Sequence, residues 1–187
     1  MSKDVNTPDE IAAKVVLFAE LIEFIGLFAF FYVIMSFNKG KKKRFKGISN
    51  AVEATSKEEQ IHGEFGIYLY NLLKEENPYI GESVHIQESI LNIIQKGYIA
   101  EMKILDWVFE EGDIEDCTLA EVKNFVTGRF NQAMVHLGVD YRFETDPELD
   151  KKNMWFYEEL KAPKEKDFFD KRGTDYSKGQ KSYDDLF

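Results

Sequence analysis

The sequence predicts an all-α protein, because apolar residues recur at helical spacing through long stretches and capping and breaking residues punctuate them. Four such helices account for most of the chain and leave no need for a sheet. With 187 residues, 44% of them apolar and 14% aromatic, one domain with a substantial core is within reach. The first helix opens at Thr7-Pro8-Asp9-Glu10, where Thr7 caps, Pro8 suits the first turn and two acids complement the positive helix end. It runs to about Phe37. The stretch from Asn38 to Gly47 carries two glycines and six basic residues, and reads as a solvated connection.

A second helix spans about Ile48 to Glu76 through Val52, Ile61, Phe65, Tyr68, Leu69 and Leu72, until Asn77-Pro78 stops it. A third runs from near Glu82 to about Glu110 and ends at Gly112-Asp113. Thr118 and Glu121 form a capping box that opens a fourth, which reaches Leu137-Gly138. After Asp146-Pro147 the periodicity weakens, although Met154-Trp155-Phe156-Tyr157 is apolar enough to dock on the bundle. Residues 1–160 thus read as the helical unit and 161–187 as a charged tail. That tail carries Phe168, Phe169, Tyr176, Tyr183, Leu186 and Phe187, the composition of a recognition segment.

Charge and cysteine usage narrow the function. Twenty-four Lys and Arg against 34 Asp and Glu leave a net charge of -10, which disfavours nucleic acid and anionic membrane as general partners. The single cysteine, Cys117, excludes a disulfide framework and any multi-cysteine metal site, and suits a reducing compartment; the cytoplasm is the expected location. Val15 to Met35 is long enough to cross a bilayer, but it contains Glu20 and Glu23. Each carboxylate inside a span costs up to about 2.5 to 3.5 kcal/mol, so a core helix is the better reading. The acidic start lacks the basic region of a signal peptide. No phosphate-binding glycine loop, Gly-x-Ser-x-Gly elbow or Cys–His pair supports another chemistry.

The chemistry lies in Glu59-Gln60-Ile61-His62, where a carboxylate and an imidazole three residues apart share one helix face and can meet one metal ion. Alone this motif is common. Glu20 and Glu23, however, sit inside an apolar helix, where a buried carboxylate must be neutralised, paired or metal-bound. Helical di-iron carboxylate proteins draw one Glu from each of two helices and a Glu-x-x-His from each of two others. This chain supplies one of each, half a site, and its hard donors suit iron or manganese. Helical spacing does not choose between Glu20 and Glu23. Glu82-Ser83-Val84-His85 is a second such motif, read as structural because it lies in the first turns of a helix. His136 stands at a helix C-terminus and is not read as a ligand.

The order of these residues resembles the C-terminal half of the small, radical-generating subunit of class I ribonucleotide reductase. Glu20 to Ala29 is similar to that family's ligand helix, in which phenylalanines follow a glutamate at four and eight residues; Phe24 and Phe28 fit Glu20, whereas Glu23 leads to Leu27 and Phe31. The resemblance therefore implies Glu20 as the ligand. The segment ending Lys57-Glu58-Glu59-Gln60-Ile61-His62 resembles the family's Arg-Asp-Glu-x-x-His and implies Glu59 and His62 as further ligands. Lys57-Glu58 replaces the Arg-Asp pair, which puts Glu58 at the acidic position that couples the metal site to the radical path. Phe24, Phe28 and Thr55 would line an apolar radical pocket.

The tail extends the resemblance. Tyr176, followed by Gly179-Gln180, matches the tyrosine that relays the radical to the large subunit, and Asp170 the acidic position before it; Tyr183 is the alternative relay. Residues 182–187 resemble the peptide that docks on the large subunit. The implied fold is half of a ferritin-like bundle, completed by a partner chain. An N-terminal small-subunit fragment would bring the remaining ligands, the usual radical tyrosine and a tryptophan relay, none of which can be placed here. Because the chain opens on its own helix start at Met1, a split small subunit is expected. The cofactor would be two iron ions, or manganese with iron, shared between chains, and the assembly heteromeric. Two rival readings remain: a homodimeric di-iron oxidase with a symmetric site, and a helical adaptor whose acids bind nothing.

Overall fold

A computed structural model describes residues 7–39 and 44–161. The first helix is continuous over 29 residues, Pro8–Ser36, but it is built in three parts. These are α1 (Pro8–Val15), a π-wound segment (Val16–Gly26) and α2 (Leu27–Ser36). At its start the Thr7 N–H donates to Glu10 Oε2 at 3.0 Å, as the capping residues foretell. Helix α3 (Lys46–Glu76) follows, entered through Phe45 in the left-handed region with φ of 53°. A single turn, α4 (Tyr79–Glu82), then leads into α5 (Val84–Val108), whose Ile86 N–H is capped by Ser83 Oγ.

Helix α6 (Leu119–Leu137) is closed at both ends as its sequence dictates. The Glu121 N–H donates to Thr118 Oγ1 at 3.2 Å, the Thr118 N–H donates to Glu121 Oε2 at 3.0 Å, and Gly138 takes the left-handed φ of 74° that terminates it. Where the sequence suggested only a docked aromatic cluster, a full helix forms, α7 (Pro147–Lys161). Asp146 caps it by accepting from the Glu148 N–H at 2.8 Å. Asn124 on α6 then fastens the entry: its Oδ1 accepts from the Asp146 N–H and its Nδ2 donates to Asp150 Oδ1, both at 2.7 Å. Among the described residues no strand occurs, only an isolated bridge between Ile114 and Cys117.

Helix α6 forms the floor of the core, with Val122, Phe125, Val126, Phe130, Ala133 and Met134 buried. The long apolar helix lies across it and buries Ala12, Val16, Phe24, Ile25, Phe28 and Tyr32. Tyr32 ties the two to α7. Its hydroxyl donates to Asn153 Oδ1 at 2.7 Å and accepts from Trp155 Nε1 at 3.3 Å, while its ring packs on Phe125 and Phe156. By length and composition the Pro8–Ser36 helix could cross a membrane, yet one side of it is this core. The other side leaves Leu17, Phe18, Ile22 and Phe30 exposed, and α3 exposes Ile61, Phe65 and Tyr68.

The π segment and α3 approach through glycine. A Cβ on Gly63 would lie 2.8 Å from Phe24 Cδ2, and one on Gly66 only 2.0 Å from Ala19 Cβ. Gly66→Ala is therefore expected to force the helices apart and to lower stability by about 1–3 kcal/mol, read as a shift in the urea midpoint. An unshifted midpoint would show that α3 tolerates the displacement.

Candidate metal centre

The close approach at Gly63 determines what the neighbouring side chains can do. Glu59 and His62, one turn apart on α3, meet at 3.1 Å between Oε2 and Nδ1. The π segment brings Glu23 to the same place: one ligand atom from each of Glu23, Glu59 and His62 lies within 4.8 Å of the others. Both carboxylates are half-buried, whereas the His62 side chain is 58% exposed. Two hard carboxylates and one imidazole form a donor set that suits iron or manganese. The set offers three donors and is open to water, so a metal ion held here would need further ligands from outside it.

Glu20 lies elsewhere. Although it precedes Glu23 by only three residues, it is 1% exposed and looks toward α6. The π winding widens the turn, so residues three apart no longer stack on one face as they would in an α-helix. The two acids thus point to different neighbours, Glu23 to α3 and Glu20 to His136 on α6, and Glu20 does not join the Glu59–His62 pair. Neither of its oxygens has a hydrogen-bond partner. Desolvation pushes its pKa up to about 8, against the opposing pull of the Arg129 guanidinium. His136 Nδ1 stands 4.0 Å from Glu20 Oε2, and burial together with Arg129 lowers the imidazole's pKa.

Arg129 is the residue that periodicity did not single out. Only 1% exposed, it donates from Nε and Nη2 to the Phe24 carbonyl at 2.8 and 2.7 Å, and from Nη1 to Gln60 Oε1 at 3.0 Å. Its guanidinium carbon lies 3.5 Å from the Phe24 ring centroid and 3.9 Å from that of Phe28. The expected apolar pocket at Phe24 and Phe28 therefore holds a cation instead, and Thr55 is exposed on α3. Burial draws the Arg129 pKa down to about 10, which leaves it charged at neutral pH. A charged residue between Val126 and Phe130, among the buried residues of α6, was its trace in the sequence.

Of the other residues singled out, Glu58 is exposed on α3, and Glu82 and His85 are exposed at the α4–α5 junction. His136 is not a solvated helix-end cation but packs its ring 5.3 Å from that of Phe24. Asp170, Tyr176 and the rest of the tail lie outside the described residues.

A helical bundle with carboxylate and imidazole donors on facing helices defines the chain as a member of the ferritin-like class of helical proteins. More narrowly, residues 1–165 match the ribonucleotide reductase small chain family, and the chain belongs to it. It is 29% identical over 161 residues to the ribonucleoside-diphosphate reductase subunit beta of Chlamydia pneumoniae, covering 83% of this chain and 43% of that protein. It is 25% identical over 173 residues to a probable ribonucleoside-diphosphate reductase small subunit of Invertebrate iridescent virus 3, covering 91% of this chain and 44% of that one. The chain thus spans less than half the length of these relatives.

The Glu20 environment has a pH consequence. Its folded-state pKa of about 8 exceeds the ordinary 4.5, so the folded metal-free chain holds a proton that the unfolded chain releases. This stabilisation is complete below the ordinary value and is lost as pH rises through the folded one. Between about pH 5 and pH 8 the melting temperature of the metal-free chain should fall more steeply than that of Glu20→Gln. Parallel curves would place Glu20 in water.

Proposed function

We propose that this chain contributes to the small subunit of a ribonucleoside-diphosphate reductase and holds half of a dinuclear iron, or manganese–iron, centre. The observation that carries the reading is the convergence of Glu23, Glu59 and His62 on facing helices, open on one side. Family membership and the names of the two relatives support it, and so does their length, more than twice the segment matched. Glu59 and His62 would hold one metal ion. Glu23 is the carboxylate already beside them; Glu20, implied by the family's spacing, is a second donor from the same helix with both oxygens free of hydrogen bonds.

When bound, such a metal pair supplies the one-electron oxidising chemistry, driven by dioxygen, that serves reduction of ribonucleotides to deoxyribonucleotides. The chain's own part is to orient donors. Gly63 lets the π segment approach, Glu59 braces His62, and the buried Arg129 keeps a positive charge near Glu20. The remaining donors would come from a second polypeptide equivalent to the N-terminal half of the relatives. Residues 161–187 would dock on the large subunit, with Tyr176 relaying the radical, Asp170 preceding it and Glu58 at the acidic position beside the ligands. The reading places the assembly in the cytoplasm and nucleotide binding on the large subunit.

The test is metal content after co-expression with a candidate N-terminal small-subunit fragment under iron and oxygen. About two ions per pair are expected, with the chain alone nearly metal-free. Glu59→Ala or His62→Ala should abolish loading while the two chains still co-purify. Stoichiometric iron in a dimer of this chain alone would favour a symmetric site and reject the missing half. Loading untouched by either substitution would reject the centre itself.

A further inference from the structure

Burying a guanidinium in a bundle core is costly unless its donors find partners, and a leucine or methionine would fill the space between two phenylalanines without that cost. Arg129 therefore needs a reason beyond packing. Its hydrogen bonds supply one: two of its nitrogens converge on one backbone carbonyl, that of Phe24, and a third holds Gln60 on α3. Phe24 follows Glu23 directly and lies two residues before the π winding ends at Gly26. We propose that Arg129 is a positioning residue that clamps the π segment in register and so fixes where Glu20 and Glu23 point, a role that rests on the metal-centre reading above.

The argument is one of register. A π turn holds more residues than an α turn, and relaxation to α-winding before Gly26 would rotate the upstream side chains relative to α3 by up to about 100° per residue of slip. Such a slip would carry Glu23 away from Glu59 and His62. The Phe24 carbonyl is well placed to prevent it, because it is held from α6, a helix capped at both ends and buried along its length. The two phenylalanine rings stacked against the guanidinium belong to the π segment and to α2, so the clamp spans the end of the π winding. The geometry requires a fork of donors; a lysine ammonium retains the charge but cannot present the planar pair of N–H groups.

Backbone amide exchange on the full chain, and Mn(II) affinity of that chain co-purified with the N-terminal small-subunit fragment, separate this role from the alternatives. In Arg129→Met, exchange should accelerate selectively at amides 20–28, and Mn(II) affinity should fall by about tenfold or more, as for other residues that orient metal ligands. Arg129→Lys should stay close to Arg129→Met. Full recovery by lysine would overturn the clamp and leave only a charge effect on Glu20. Wild-type exchange in Arg129→Met, or acceleration spread evenly over the bundle, would also overturn it. Should Arg129→Met fail to fold, Arg129→Lys decides on the same exchange readout. Glu59→Gln isolates the metal reading: if it binds Mn(II) no more weakly than wild type, that reading fails, while the exchange data still decide the clamp.

Discussion

The approach of the π segment to α3 is the constraint on which the rest of the arrangement depends. It requires two glycines, because Phe24 and Ala19 occupy the space that side chains at positions 63 and 66 would need. Once the helices are that close, Glu23 reaches the Glu59–His62 pair, and Gln60 on the adjoining face reaches Arg129. Had α3 carried alanines, the donor group and the buried ionic cluster would separate together. One backbone distance therefore sets two polar sites of opposite character, a half-wet group of donors and a dry one built around a cation.

The dry cluster explains how a carboxylate can sit in the core of a helix apolar enough to resemble a membrane span. Desolvation favours the neutral form of Glu20, and Arg129 beside it favours the charged form. The balance leaves the group near the threshold between the two, with His136 nearby and its own proton affinity lowered. Neither oxygen of Glu20 is committed to a hydrogen bond. If Glu20 served as a metal ligand, as proposed, it would exchange that proton for another positive charge.

Much of the fold was legible in the sequence. The caps at Thr7 and Thr118 and the stops at Asn77-Pro78 and Gly138 all act locally, through backbone groups a few residues away. Helix α7 was not read because the periodicity weakens after Asp146-Pro147, and its entry is fastened by Asn124, twenty-two residues upstream of Asp146. The π winding had no legible mark, since hydrophobic spacing assumes the 3.6-residue period that a π turn abandons. The choice of Glu20 came from the resemblance, through the phenylalanines at 24 and 28, whereas the structure places Glu23 beside the motif on α3. The Glu59–His62 pair itself is an i, i+3 relation within one regular helix, and the two side chains meet across that turn.

The open side of the donor group connects this local geometry to assembly. A metal held as proposed by an imidazole 58% exposed to water would exchange its ligands with solvent, and the proposed oxidising chemistry would need water kept away. The same two helices leave Phe18, Ile22, Ile61 and Phe65 exposed within a few residues of Glu23, Glu59 and His62 along the chain. Covering those side chains would exclude water from the donors in the same step, because they flank them on both helices. Apolar burial drives association in proportion to area, without regard to direction. Under the proposed reading the carboxylates and the imidazole would supply what burial lacks, a geometric demand that a partner with matching donors would meet. Partner choice and metal assembly would in this way be one event on one surface.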